Sequence, residues 1–571
     1  MIKENIREAL KEALLSLSIE AHDFDLEPPT DVTHGDYTTN AALAHAKTFS
    51  LNPVDLGKRI AKEMTGKIPG VKKIEVAGAG FVNVYLSDDF FCNAIEQILK
   101  APQTYGRSED LKGRKIIFEY TDPNPFKEFH IGHLMSNTIG ESLSRFAEFS
   151  GAEVKRANYQ GDMGLNVAKA IWGMERLRSK MPAESDPLQK RMTFVSEAYV
   201  LGAAGYEEAE AIKNDVDELN ARIFSRRDSA VNALYDKGRA WSLESFEHLY
   251  KILGTKFDFY FFESQTAPLG GKIVSEHMSD GVFEKSDGAV VFRGEKHGLH
   301  TRVFVNSEGF PTYEGKELGL GELKFRTYPY DESVIITANE QNDYFKVVLK
   351  AMEEIYPEIA KKTKHISHGM MRFASGKMSS RTGNVITGES LIIAMKNLVM
   401  ERIKERELSA DEKQKIAEAV AISAIKYSIL RSAIGSDIIY DFEKSISFEG
   451  DSGPYLQYTC ARARSVLKKA KSSGSRTATE AVAVRLPSGP ILLERLLYRF
   501  PEVVERAAKE FEPHYIATYL IELSAAFNNF YAHNKIIGSD EEDYRLALTE
   551  AVATTIKNGL YILGIKAPER M

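Results

Sequence analysis

Cysteine is scarce in this sequence, which holds Cys92 and Cys460 among 571 residues. The two do not form a Cys-x-x-Cys pair, so they cannot supply the thiolate set of a structural zinc site. We therefore predict no protein-bound metal. Because so little cysteine fits a reducing compartment, we expect the protein to be cytoplasmic.

Long apolar runs are also missing. No uncharged apolar stretch approaches the roughly 20 residues that a membrane helix needs, so we expect no membrane partner. A strong positive charge is lacking too, because the formal net charge is −7. This balance argues against indiscriminate nucleic-acid binding and requires any basic surface to be local. The N-terminus carries Glu4, Glu8 and Glu12 among apolar residues at helical spacing, which predicts a structural helix rather than a targeting leader.

The length predicts several domains, since single cores seldom grow past about 250–300 residues. Residues 1–105 are predicted to form a small α+β domain, because 73–86 alternates apolar and polar residues around glycines, as strands joined by a tight turn do. Strand-like runs alternate with helical segments over 106–388, which favours a parallel α/β sheet. The runs assigned to that sheet include 153–157, 290–292, 303–305 and 333–338.

Two helical regions complete this organisation. A charged stretch over 172–241 predicts a helical insertion into the sheet domain, placed around 172–290. Strand signals nearly vanish beyond residue 388, so 389–571 is predicted to be an all-α bundle. Its amphipathic segments are 411–431, 455–471, 491–499, 514–532 and 544–563.

The strongest chemical signal is Glu119-Tyr-Thr-Asp-Pro-Asn-Pro-Phe-Lys-Glu-Phe-His-Ile-Gly-His, which ends at His133. The pattern predicts a strand, a proline-containing loop and a helix that opens near Ile131. His130 and His133 then lie at a strand-to-helix turn, where helix N-terminal amides favour phosphates. Gly132 lets the backbone come close to a nucleotide, and imidazoles donate hydrogen bonds to phosphate oxygens as charge shifts onto them.

A second signal is Phe373-Ala-Ser-Gly-Lys-Met-Ser-Ser-Arg-Thr-Gly-Asn. Glycines flank a serine-rich loop that carries one lysine, Lys377, as a compact positive charge. The chemistry is that of a phosphate clamp, and a solvated basic loop is the alternative. Together with the first motif, the clamp is the favoured interpretation.

At these two motifs the sequence resembles class I aminoacyl-tRNA synthetases. In that class the two signatures flank ATP on a Rossmann-type sheet and stabilise the transition state of adenylate formation. The resemblance implies that His130, His133 and Lys377 are catalytic, with Mg²⁺ carried by the ATP. The ATP-binding set that it implies is His130, Gly132, His133, Lys377, Met378, Ser379 and Ser380, where Ser380 replaces the second lysine that is common in the class.

Over essentially the whole chain the sequence resembles arginyl-tRNA synthetases. Tyr159-Gln-Gly-Asp-Met-Gly looks like the Gly-Asp-x-Gly loop of that family, and Pro311-Thr-Tyr-Glu-Gly-Lys-Glu matches its Tyr-x-x-x-Asp element with Glu317 in place of aspartate. The arginine-binding residues implied are Glu119, Asn124, Tyr313, Glu317 and Gln341. Carboxylates suit a guanidinium, because its planar donors form a bidentate fork with them. A surface position beside Lys316 is the alternative for Glu317, and which carboxylate meets which end of arginine stays open.

The resemblance also implies two tRNA-facing regions. The N-terminal domain looks like the arginyl-specific domain that contacts the D-loop corner of tRNA, where Phe81 would stack on a base and Asn83 would read its edge. A core position is the alternative for Phe81. The bundle resembles the anticodon-binding domain, with Tyr455, Arg462 and Arg464 as tRNA-binding residues. A solvated basic helix face is the alternative there.

The activity that the resemblance implies is that of an arginine–tRNA ligase. Arginine and ATP would give arginyl-adenylate, and the terminal 2′-OH of tRNA-Arg would take the arginyl group and release AMP. We expect a monomer, and we expect activation to need bound tRNA. The alternatives are a class I synthetase for glutamate, glutamine or cysteine, a non-catalytic tRNA-binding scaffold, and a small-metabolite nucleotidyltransferase.

Overall fold

The structure is a computed structural model that describes residues 1–20, 24–374, 387–474, 486–487 and 489–569. The predicted ATP-site residues of the serine-rich loop lie outside the described residues: Lys377, Met378, Ser379 and Ser380. No helix in the described ranges is both long and apolar enough to cross a membrane. The same ranges contain no group of three His, Cys, Asp or Glu side chains that could hold a metal ion.

The N-terminal domain is a small antiparallel sheet with helices packed on it. Its elements are α1 (Ile2–Ser16), β1 (Leu26–Glu27), β2 (Tyr37–Thr39), α2 (Ala41–Ala46), α3 (Pro53–Met64), β3 (Val71–Ala77), β4 (Phe81–Leu86) and α4 (Asp88–Lys100). The strand order is β1-β2-β4-β3. The helix predicted at the N-terminus buries Ile6, Leu10 and Leu14 in the domain core. The strands predicted over 73–86 are β3 and β4, which pair antiparallel.

A parallel sheet forms the centre of the molecule. The elements from 115 to 373 are β5 (Lys115–Glu119), α5 (Ile131–Phe149), β6 (Glu153–Gln160), α6 (Leu165–Arg176), α7 (Leu188–Glu208), α8 (Glu210–Ser225), α9 (Ser229–Leu253), β7 (Phe259–Phe262), α10 (Glu263–Glu276), β8 (Glu284–Ser286), β9 (Ala289–Phe292), β10 (Arg302–Val305), α11 (Tyr313–Thr327), β11 (Glu332–Ala338), α12 (Asn342–Ile355), α13 (Pro357–Lys362), β12 (Thr363–His368) and β13 (Met371–Phe373). In the described part of the chain, β12-β11-β5-β6-β7 form a five-stranded sheet. All its neighbours pair parallel, so the strands end at one common edge.

Two strand assignments made from the sequence are wrong. The runs 290–292 and 303–305 do not join the parallel sheet but lie in β9 and β10, which form a separate antiparallel sheet with β8. The reason is the short connection over 293–301, because a parallel crossover needs a dozen or more residues. The parallel sheet instead gains β7, which lies inside the range 172–290 that the sequence assigned to an insertion. The added helices of that range are α7, α8 and α9.

The C-terminal part is helical, as predicted. Its elements are α14 (Gly388–Arg402), α15 (Ala410–Leu430), β14 (Ile438–Tyr440), α16 (Phe442–Ser445), α17 (Gly453–Ser472), α18 (Leu492–Leu497), α19 (Phe500–Glu510), α20 (His514–His533) and α21 (Glu542–Ile562). The short strand β14 pairs parallel with β13. The ion pair between Asp36 and Arg495 joins the bundle to the N-terminal domain.

Candidate active site

The predicted histidine turn forms at the carboxyl edge of the parallel sheet. Helix α5 begins at Ile131, directly after His130, so both histidines lie at its N-terminus. The backbone N–H of His130 donates to Nδ1 of His133 over 3.2 Å, and the two rings stack with centroids 3.5 Å apart. A Cβ on Gly132 would lie 3.3 Å from the His130 ring. Glycine therefore keeps this turn tight and its backbone amides open to a ligand.

Both imidazoles are held neutral. Burial lowers the pKa of His133 well below the usual histidine value, and His130 and Lys127 lower it further. Burial and Lys127 lower the pKa of His130 as well. Because Nδ1 of His133 accepts the backbone hydrogen bond, its proton resides on Nε2. The site therefore presents a neutral N–H donor beside the amides of the helix N-terminus.

The segment that follows the serine-rich loop packs on this turn. Thr387 forms an antiparallel bridge with His130, and the N–H of Gly388 donates to the carbonyl of Phe129 over 2.8 Å. A Cβ on Gly388 would lie 2.8 Å from the Phe129 ring. The chain therefore returns from the loop to the histidine turn.

A buried ion pair lies next to this turn, at the end of β5. Oε2 of Glu119 accepts a hydrogen bond from Nζ of Lys324 over 2.6 Å, and the two side chains are 3% and 2% exposed. Lys324 lies on α11 and was not singled out from the sequence. Its signal was present, however, because Tyr313, Glu317 and Lys324 recur at helical spacing on one face.

Glu317 is buried, and it is not a surface partner of Lys316. Lys316 instead pairs with Glu263 over 2.7 Å, while the Tyr344 hydroxyl lies 3.5 Å from Oε2 of Glu317. Burial raises the pKa of Glu317 to about 8, with Glu119 adding to the rise and Lys324 opposing it. The site thus holds a buried carboxylate without an ion-pair partner among the described residues, which is the environment that a cationic ligand would neutralise.

The other predicted arginine-site residues differ in their surroundings. Oδ1 of Asn124 accepts the backbone N–H of Gly161 over 3.0 Å, which fixes the loop after β5 against the loop after β6. Tyr313 is 61% exposed at the start of α11, with Nζ of Lys316 4.9 Å from its ring centroid. Gln341 is exposed in the turn after β11. The structure therefore buries the two carboxylates and leaves the tyrosine and the glutamine exposed.

The aspartate of the Gly-Asp-x-Gly loop connects several helices and strands through hydrogen bonds. Asp162 is fully buried and accepts hydrogen bonds from the backbone N–H and the hydroxyl of Ser264. It also accepts from the Tyr235 hydroxyl and from Arg239, both on the inserted helix α9. Asp162 therefore joins the inserted helices to the ends of β6 and β7.

The two predicted tRNA residues of the N-terminal domain differ in exposure. Phe81 is 42% exposed at the start of β4, so it is not a core residue. Asn83 is 2% exposed, and its Oδ1 accepts the Thr38 hydroxyl over 2.7 Å. In this conformation Phe81 is open to a stacking partner, whereas Asn83 does not present its amide at the surface.

A basic groove lies on the C-terminal bundle. Arg462 donates to Asn528 over 2.6 Å, and Asn528 in turn donates to the Tyr455 hydroxyl. Arg464 donates to the carbonyls of Ala567 and Pro568. The two arginines open into a cavity of about 1020 Å³ whose lining includes Lys468, Lys469, Tyr531 and Lys535. Positive charge beside aromatic rings is therefore concentrated on this face, as an acidic protein with an RNA partner requires.

Comparison with known families defines the class first. Residues 94–442 match the family model described as tRNA synthetases class I (R), catalytic domain. Residues 1–86 match the arginyl tRNA synthetase N-terminal domain, and 456–571 match the DALR anticodon-binding domain. The parallel sheet with its histidine turn is thus a class I aminoacyl-tRNA synthetase catalytic domain.

Relatives of known function narrow the class. The chain is 31% identical to the arginine–tRNA ligase of Clostridium acetobutylicum, over 98% of both chains. It is 32% identical to that of Fusobacterium nucleatum, over 97% of this chain and 96% of the relative. The arginyl-tRNA synthetase of Thermus thermophilus has the same fold, with a TM-score of 0.78 and 22% identity over 100% of both chains. The chain belongs to the arginyl-tRNA synthetase family.

These findings confirm the family, the multidomain fold class and the arginine–tRNA ligase activity that the sequence predicted. The family uses ATP as a substrate. The roles assigned to single residues, the domain boundaries, the monomeric state and the cytoplasmic location stay predictions.

Proposed function

We propose that the chain charges tRNA-Arg with L-arginine in two steps at the carboxyl edge of its parallel sheet. A carboxylate oxygen of arginine attacks the α-phosphorus of ATP, pyrophosphate leaves, and arginyl-adenylate stays bound. The 2′-OH of the terminal adenosine then attacks the carbonyl carbon, and AMP leaves with the electron pair of the broken bond. The buried acidic cluster of Glu119 and Glu317, which begins at the end of the strand that leads into the histidine turn, is the observation that carries this proposal.

ATP would lie at the N-terminus of α5. Neutral His130 and His133 donate hydrogen bonds to the phosphates, and the free amides of the helix end add their partial positive charge. Lys377 would add a full positive charge from the serine-rich loop, with Met378, Ser379 and Ser380 beside it. Mg²⁺ would arrive bound to the nucleotide. The protein's part is alignment and electrostatic stabilisation, and no covalent intermediate on a side chain is required.

Arginine would enter the pocket between β5 and α11. Its guanidinium is a planar donor that suits Glu119 and Glu317, and it would supply the cation that buried Glu317 lacks. Asn124 would hold the amino-acid end, since its carbonyl oxygen is already fixed by Gly161. Tyr313 and Gln341 would close the opening.

The tRNA would contact the protein at both ends of the chain. Exposed Phe81 would stack on an unpaired base of the D-loop corner. Tyr455, Arg462 and Arg464 would contact the anticodon arm along the basic groove. We expect a monomeric, cytoplasmic enzyme whose first step requires bound tRNA.

ATP–pyrophosphate exchange tests this proposal with arginine, glutamate, glutamine and cysteine, each with and without total tRNA. We expect exchange with arginine, and only when tRNA is present. Exchange with another of these amino acids would overturn the pocket assignment. No exchange with any of them, in protein that still binds tRNA, would favour a tRNA-binding scaffold.

A pair of variants on one helix tests the pocket. Glu317→Gln should lower kcat/KM for arginine roughly 10- to 100-fold, because a hydrogen bond to a charged group contributes about 1.5–3 kcal/mol. Glu322→Gln is the matched control, since Glu322 lies on the same helix and its carboxylate accepts only the Tyr356 hydroxyl among the described residues. Equal kinetics of the two variants would show that Glu317 does not bind arginine.

A further inference from the structure

The arginine pocket holds more negative charge than the family resemblance accounts for. Three carboxylates, those of Glu119, Asp122 and Glu317, surround one cation, Lys324. The neighbouring Glu263 does not change this balance, because Lys316 neutralises it over 2.7 Å. With every group ionised, the empty pocket would carry a net charge of about −2 in a buried setting, which is costly unless a ligand or a proton compensates it.

Asp122 lies on an unusual backbone path at the end of β5. The chain leaves β5 through two residues with positive φ, Thr121 at 80° and Asp122 at 47°. For a β-branched residue such as Thr121 this conformation is strained. It is held by the Ser136 hydroxyl, which accepts from the Thr121 N–H, and by Asn137, which donates to the Thr121 hydroxyl.

The strained turn places the Asp122 side chain against β6. Its Oδ1 accepts the backbone N–H of Tyr159 over 2.7 Å. Its Oδ2 accepts no hydrogen bond from the residues that the structure describes. Asp122 is half-buried and lies two residues before Asn124. One oxygen thus anchors the side chain, while the other keeps its capacity to accept a hydrogen bond.

The groups that face Asp122 come from every element around it. They are Glu119 on β5, Tyr159 on β6, Tyr250 on α9, and Glu317 and Lys324 on α11. Tyr344 on α12 contacts the same cluster through Glu317. Burial raises the pKa of all three tyrosines well above 10, so they stay neutral. The titrating groups of the cluster are therefore its carboxylates.

We propose that Asp122 is a third, specificity-determining carboxylate of the arginine pocket, and that arginine entry drives a proton out of the pocket. This inference rests on the proposed function, in which Glu119 and Glu317 bind arginine. Arginine brings two positive groups to this cluster, its guanidinium and its α-ammonium, while its α-carboxylate faces the α-phosphorus of ATP. An amino acid with an uncharged side chain brings only its α-ammonium, so it would leave part of the negative charge uncompensated and would bind less well.

The protonation of the empty pocket agrees with this charge balance. Burial raises the pKa of Asp122 well above its usual value, and Glu119 and Glu317 raise it further. Burial and Glu119 raise the pKa of Glu317 to about 8. Near pH 7 the unliganded cluster therefore holds at least one proton, which the two cationic groups of arginine displace. Arginine affinity should then rise with pH. The rise should be about tenfold per pH unit for each proton released, as long as the pH stays below the pKa of the group that releases it.

Calorimetry of arginine binding to the full chain tests this inference, with saturating tRNA present and absent. Titrations at pH 7 in buffers of different ionisation enthalpy give the number of protons released, and we expect a value near one for the wild type. This measurement needs no variant. A wild type that binds arginine without releasing a proton would overturn the inference and leave the proposed function standing. A wild type that binds no arginine in either condition would overturn both.

Asp122→Asn is the variant of choice because it keeps an oxygen for the Tyr159 N–H. At pH 8 we expect arginine affinity to fall about 10- to 100-fold. We also expect the number of protons released on arginine binding to fall well below the wild-type value. The loss should shrink toward pH 6, because burial raises the pKa of the wild-type carboxylate and protonation removes its charge as the pH falls. A merely structural role would give the same loss at both pH values. That result, or wild-type affinity at pH 8, would refute the role of Asp122. Asp343→Asn, an exposed change on α12, is the control.

Discussion

The buried pair of Lys324 and Glu119 permits a quantitative prediction. Lys324→Met keeps most of the side-chain volume but leaves Glu119 buried without its cation. Breaking a buried ion pair on one side costs about 3–5 kcal/mol. The pair joins β5 to α11 through a 2.6 Å contact, so the cost should appear as local opening of those two elements. At about 1.4 kcal/mol per tenfold change, their slowest amides should exchange roughly 10²- to 10³-fold faster.

Native-state hydrogen exchange, followed by mass spectrometry of peptides from β5 and α11, measures this opening directly.

Two comparisons separate this effect from general damage. The double variant Glu119→Gln with Lys324→Met leaves no unpaired charge and should recover part of the protection. Lys346→Met removes an exposed partner of Asp343, whose pair is 61% and 64% exposed, and should change stability by no more than about 1 kcal/mol. Unchanged exchange in Lys324→Met, or a double variant that loses as much as both single variants together, would refute the reasoning.

Three further variants give distinct signatures. Gly161→Ala would place a Cβ 2.3 Å from Oδ1 of Asn124, so kcat/KM for arginine should fall at least about tenfold with little change in the melting temperature. Burial lowers the pKa of His365 to about 4, so stability should fall as pH drops from about 6.5 toward 4, and His365→Gln should flatten this part of the thermal-melting profile. Arg464→Met should reduce the slope of log affinity for tRNA against log salt by about 1, as measured by filter binding, whereas the exposed control Arg506→Met should leave it unchanged.

Local sequence signals predicted much of the fold because they report short-range physics. The segment 514–532 was predicted to be helical from its amphipathic period, and the structure has α20 at His514–His533. The alternation over 73–86 likewise gave β3 and β4. In each case the residues that define the element are neighbours in the chain, so one periodicity determines both the element and its buried face.

The remaining features depend on partners that are distant in sequence. Glu119 was singled out, but its partner Lys324 follows some 200 positions later, and no local pattern joins them. Asn83 is buried between two buried valines of β4, and its hydrogen-bond partner Thr38 lies on the adjacent strand. The strand β7 was missed because Phe259-Tyr-Phe-Phe is short and follows a long helix, so only its pairing with β6 identifies it.

One helix joins the proposed ATP site to the C-terminal bundle. Helix α5 carries His130 and His133 at its N-terminus, and its 19 residues span about 28 Å. Arg145, near its other end, donates to the carbonyls of Tyr561 on α21 and Gly254 after α9. These are the negative ends of two helices, where a buried cation is most effective.

Arg145 belongs to an ionic centre, formed with Glu141 and Arg156, that also lies next to the proposed amino-acid site. Glu141 on α5 accepts from Arg145 and from the Tyr120 hydroxyl, and Tyr120 directly follows Glu119. Burial opposes ionisation of Glu141, but Arg145 and Arg156 lower its pKa to about 2, so the centre keeps its charge throughout the physiological range. A displacement of α21 must therefore either move α5 or break the charged hydrogen bond from Arg145 to the Tyr561 carbonyl. The same few bonds thus link the position of the C-terminal bundle to the helix and strand that carry the proposed substrate sites.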